Sequence, residues 1–72
     1  MAKIPVLSSR VVIKILIKVG YVVVRQKGSH IRLHHPQMSP VTVPNHSSIG
    51  KGLLKKILRD SEISLSDFTK FL

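Results

Sequence analysis

The sequence predicts a single α+β domain, residues 1–72, in which helices cover one face of a three-stranded antiparallel sheet. Three observations predict it. Basic residues recur every four positions opposite apolar stripes in two separate stretches, roughly residues 9–19 and 51–60. Between them lie three short strand-like runs, the first two separated by a Gly-containing pair. The 72 residues also leave room for one core only, since a chain this short buries about 60% of its unfolded surface.

The first helix starts at a cap, Ser8 or Ser9, and runs to about Val19, with Gly20 in the stop position. Its β-branched residues favour a strand by propensity. The spacing decides for a helix: Arg10, Lys14 and Lys18 form one stripe, and Val12, Leu16 and Val19 form the opposite one. Tyr21 to Gln26 and Ser29 to His34 then flank Lys27-Gly28, which predicts a hairpin with a two-residue loop at that pair. That loop pairs Arg25 with His30, Val24 with Ile31 and Val22 with Leu33, placing the four apolar residues on one face. Arg25, His30, Arg32 and His34 fall on the other; a slip of one residue mixes the two classes.

His35 to Pro40 reads as a turn-rich connection, and Val41 to Val43 as a third strand closed by Pro44, which suits an edge or a strand end. A second helix is expected over Lys51 to Asp60, with Leu53, Leu54, Ile57 and Leu58 inward and Lys51, Lys55 and Arg59 on a basic stripe. Ser64 caps a short last helix whose Leu65, Phe68 and Leu72 face the core. The order helix, three-stranded meander, helix leaves the second sheet face, with His30 on it, open to solvent or a ligand.

Charge narrows the partners. Twelve Lys and Arg against three Asp and Glu give a net +9, and a compact domain so basic is relieved by a polyanion. One Tyr, two Phe and no Trp leave few rings for stacking bases, which favours contacts to phosphate. The absence of cysteine excludes disulfides and thiolate zinc sites and is compatible with the cytoplasm. Lys14 and Lys18 interrupt the apolar stretch Val11 to Val24, which argues against a membrane span. Met1 to Ser9 carries no signal-peptide pattern. We expect a soluble, cytoplasmic protein.

At this point the residues resemble a known family. Gly20-Tyr21, then Arg25-Gln-Lys-Gly-Ser-His30, then Val41-Thr-Val-Pro-Asn-His46, then Gly52-Leu-Leu-Lys-Lys-Ile-Leu58 look like the HicA, or YcfA-like, toxins, in matching order and spacing along nearly the whole chain. The Gly-Ser-His element is weak alone and becomes specific when joined to Pro44-Asn-His46 and the glycine-led Leu/Ile helix. The resemblance implies a fold similar to the double-stranded-RNA-binding domain, mRNA interferase activity, and a HicB-like antitoxin that occludes the active site. It places the family's catalytic histidine on His30; Ser29 beside it is a candidate RNA contact. One departure is Leu53, where the family often has Thr after the glycine.

RNA carries its own nucleophile, the 2′-hydroxyl, so a ribonuclease needs a proton acceptor and charge stabilisation. Histidine titrates near neutral pH and suits the first role. We expect His30 to take the 2′-OH proton while Arg25, Lys27 or Arg32 steadies the phosphoryl oxygens. His46, after a Pro-Asn turn, is a candidate second proton donor or RNA contact. His34 and His35 read as surface residues. Lys51 and Lys55 are candidate phosphate contacts, against the plainer reading of a solvated helix face.

No metal or other cofactor is expected. His30 and His34 have the spacing of a helical ligand pair, but on a strand they stand ~13 Å apart, and Asp60, Glu62 and Asp67 are remote in sequence. The expected function is thus a metal-independent endoribonuclease toxin acting on single-stranded mRNA or other RNA. The alternatives are a non-catalytic RNA-binding module of the same fold, with His30 incidental, and a toxin remnant or regulator whose main partner is an acidic protein.

Overall fold

The computed structural model describes residues 6–72. The expectation for Met1 to Ser9 therefore rests in part on residues outside the described ones. The elements run α1 (Ser9–Lys18), β1 (Val22–Lys27), β2 (His30–His34), β3 (Val41–Pro44), α2 (Lys51–Ser61) and α3 (Leu65–Thr69). The sheet is antiparallel in the order β1-β2-β3, with the helices on one face. The α+β architecture expected from the sequence is the one observed. No helix of the described residues is long and apolar enough to cross a membrane.

Both ends of α1 are fixed by local chemistry. The Ser8 hydroxyl accepts from the Val11 amide (3.3 Å), satisfying one of the donors a helix start leaves bare. At the other end Gly20 takes φ +108°, the Tyr21 amide donates to the Leu16 carbonyl (3.0 Å), and the Gly20 amide donates to Ile17 (3.0 Å). This is a Schellman closure, and it delivers Tyr21 directly beneath the helix. Ser64 caps α3 in the same way as Ser8 caps α1, accepting from the Asp67 amide (3.0 Å).

One core lies between the layers. α1 contributes Val12, Ile15 and Leu16, the sheet Ile31, Leu33, Val41 and Val43, α2 Leu54, Ile57 and Leu58, and α3 Phe68. Ile15 joins the inward stripe, whereas Val19 and Leu53 are only half-buried. Leu72, expected to face inward, is exposed instead: α3 stops at Thr69, so the helical period never carries to the last residue.

The hairpin corrects the expected register. Its loop is Gly28-Ser29, not Lys27-Gly28, and the pairs are Lys27 with His30, Gln26 with Ile31 and Arg25 with Arg32. Gly28 has φ +58° at the first turn position and Ser29 stays negative, the Gly-first arrangement of a type II′ turn. This moves the register by two residues, which preserves the faces, so the basic face survives. An irregularity at Val24 then shifts the pairing by one, giving Val23 with Leu33 and Val22 with His34. Val22 and Val24 are consequently half-exposed rather than core, and every residue of β1 is exposed.

Tyr21 is 1% exposed and its hydroxyl donates to the Ser39 carbonyl (2.8 Å). Burial, reinforced by the negative charges of Glu62 and Asp60, raises its phenol above the ordinary value of 10.0. The folded state thus holds this proton more tightly than the unfolded chain. The resulting stability is complete below about pH 10 and is lost as pH rises through the folded-state value. Urea unfolding at about pH 9 and about pH 11 should show a larger loss for the native protein than for Tyr21→Phe; equal losses would discount Tyr21.

Candidate active site

The open sheet face carries a groove of about 730 Å³ lined by Val24, Arg25, Lys27, His30, Arg32, His34 and Thr42. Strand periodicity explains the gathering. On β2, His30, Arg32 and His34 point away from the core while Ile31 and Leu33 point into it. Across the strand pair Lys27 stands opposite His30 and Arg25 opposite Arg32. Arg32 is steadied from the other side by Thr42 on β3, whose hydroxyl accepts from Nη1 at 2.9 Å.

Arg25 opposite Arg32 is the telling contact. Like charges facing each other across a strand pair destabilise a sheet, and no carboxylate lines this groove to offset them. All three acidic residues fall after residue 59. An anion between the two guanidiniums removes the repulsion. The His30 imidazole is exposed at this same surface, beside the cations rather than packed beneath them.

The other residues singled out in the sequence are not gathered here. Ser29 sits in the hairpin turn, where its carbonyl accepts from the Asn45 amide (2.6 Å) and ties the hairpin tip to the end of β3. His46 follows β3, lines a separate hollow with Ser8, Ser9, Arg10, Asn45 and Ser47, and accepts through its carbonyl from the Ser9 amide (3.0 Å). Lys51 and Lys55 are exposed on α2, in the other layer. The lysine of α2 that does approach is Lys56, which borders a smaller hollow together with Arg32, Thr42 and Asp60 at the β3 edge.

His34 was read as a surface residue, and its exposure agrees, but it shares the groove with His30. The alternation of β2 is the signal that pairs them. His35 is different: it is half-buried and built into the fold. Its Nδ1 accepts from the amides of Gln37 (3.0 Å) and Met38 (3.1 Å), which leaves Nε2 to carry the proton and donate to the Val19 carbonyl (3.0 Å). The ring tilts against Tyr21 with centroids 4.9 Å apart, occupying space that Gly20 leaves free.

Residues 9–63 match the family model described as the HicA toxin of bacterial toxin–antitoxin. The chain belongs to the HicA toxin family. The match runs from the first residue of α1 to just beyond α2, so it takes in the whole sheet and the groove, while α3 lies outside it. None of the curated proteins compared with this HicA toxin matches it. Membership in a toxin–antitoxin family implies a toxin role and an antitoxin partner.

Proposed function

We propose that this HicA toxin is a metal-independent endoribonuclease that cuts single-stranded mRNA in the cytoplasm, with His30 as general base. The observation that carries the reading is an exposed imidazole set among three cations, in a groove lined by no carboxylate. Such a lining suits a phosphodiester and gives a divalent cation little to bind. His30 removes the 2′-OH proton, and the 2′-oxygen bonds to the adjacent phosphorus. The bond from phosphorus to the 5′-oxygen breaks, and that oxygen keeps the electron pair and takes up a proton.

In this reading Arg25, Lys27 and Arg32 hold the negative charge that builds on the phosphoryl oxygens. His34 lies four residues along the same face of β2, ~13 Å away by strand rise, too far to act on the same phosphate, so the leaving oxygen takes its proton from water. The antitoxin is then a HicB-like protein. Mapping the ends of the fragments tests the route. Cleavage in excess chelator should leave 2′,3′-cyclic phosphates and 5′-hydroxyls, and 5′-phosphate ends would rule it out.

Binding should depend steeply on salt. Each phosphate neutralised on a single strand contributes a slope of about −0.7 in log affinity against log salt, so three groove cations give about −2. Arg32→Ala should flatten the slope by about 0.7. A slope already near zero in the native protein would remove the electrostatic part of the proposal.

A further inference from the structure

We infer that the free edge of β1, together with the hollow between β1 and α1, is a docking surface for an acidic, extended segment of another protein, which adds there as a fourth strand. This rests on the fold and the charge distribution alone and is independent of the ribonuclease reading.

The sheet is unevenly covered. β2 and β3 bury alternate residues, whereas all of β1 is exposed, and among the described residues β1 pairs only with β2. Its outer edge therefore offers backbone donors and acceptors to a further strand. Proteins usually blunt such edges with charge. Here Arg25 and Lys27 occupy the hairpin end, but Val22, Val23 and Val24 are consecutive and 59%, 43% and 50% exposed. Val22 and Val24 lie on the groove side, whereas Val23 faces α1 and, with Ile17, itself 50% exposed, makes an apolar patch of the kind that marks an interaction site.

The patch continues into a hollow. Ile13, Ile17, Val23 and Ile31 line its apolar part and Arg10 and Lys14 add two cations, with no acidic residue in the lining. The irregularity at Val24 matters here, because it turns Val23 to the helix side and into this hollow. An added strand has alternating side chains, so one set can enter the hollow while carboxylates of the occupant meet Arg10 and Lys14.

Charge selects that occupant over the others. A second copy of this chain would bring +9 against +9. RNA gains little from an apolar floor, and a strand edge matches a peptide backbone rather than a sugar–phosphate one. An acidic, β-forming segment satisfies the edge, the floor and the two cations together.

The test is an amide NMR titration of the full chain with a short peptide of alternating Val and Glu, capped at both ends. The expected result is saturable binding, with shifts concentrated at residues 22–27 and at Ile13 and Ile17. Val23→Lys and Lys14→Glu should each weaken binding ~10-fold or more, and Arg32→Ala, on the opposite face, should not. Ile17→Lys serves in place of Val23→Lys if that variant's spectrum shows an unfolded chain. Absence of binding overturns the inference. So do shifts on the groove face that Arg32→Ala abolishes, which would mean charge attraction alone. A response of the same β1 amides to oligouridylate, or to protein concentration without peptide, would assign the edge to RNA or to self-association and equally overturn it.

Discussion

Replacing His30 by Ala is expected to slow cleavage of an unstructured RNA by ~100-fold or more, because a positioned general base contributes about 10²–10⁴ to such a step. The experiment is clean for a structural reason. His30 is exposed and packs against no part of the core, so its removal leaves Ile31 and Leu33, its neighbours on the strand, seated where they are. RNA affinity should change little, since Arg25, Lys27 and Arg32 remain. Purified proteins compared in excess chelator separate the outcomes. Loss of cutting with retained binding assigns the chemistry to His30. If the native protein binds but does not cut, the groove is a phosphate-binding surface and the imidazole has no catalytic task.

Gly20→Ala should be the most damaging small substitution outside the core, costing about 3 kcal/mol. Two effects combine. At φ +108° any side chain is strained, by about 1–3 kcal/mol. The new Cβ would also lie 2.7 Å from His35 Nε2, and that ring is held by the carbonyl of Val19, by the amides of Gln37 and Met38, and by Tyr21. In a domain this small such a loss lowers the melting temperature by about 12 °C or more. The contact is separable from the strain. In the Gly20→Ala background, His35→Ala should cost less than it does in the native protein, by about 1 kcal/mol. Strictly additive costs would show that the ring does not resist the methyl group.

Much of this molecule was legible in its sequence because local chemistry and tertiary structure agree. Ser8, Gly20 and Ser64 mark helix ends that the fold uses as marked. The basic face was also legible, and it outlasted a wrong register: moving the loop from Lys27-Gly28 to Gly28-Ser29 shifts the pairing by two, and a period of two restores each side chain to its face. The irregularity at Val24 was not legible. In Val22-Val23-Val24 nothing local says which valine is the extra one, and the choice is made by packing against β2 and α1. His35 was read as surface because its partners, Val19, Gly20 and Tyr21, lie fourteen to sixteen residues earlier in the chain. Lys56 escaped notice because counting every fourth residue from Lys51 passes over it, while α2 is set by Leu54, Ile57 and Leu58.

The uneven cover over the sheet has a mechanical meaning for the groove. His30, Arg32 and His34 belong to a strand whose intervening side chains are locked in the core, so displacing them means opening the whole domain. Arg25 and Lys27 belong to a strand without buried residues, tethered to β2 by its ladder and free to breathe at a small fraction of that cost. One wall of the groove is stiff and the other compliant. In the proposed reaction a polymer of varying shape would be gripped by the yielding wall while His30 opposite keeps its position.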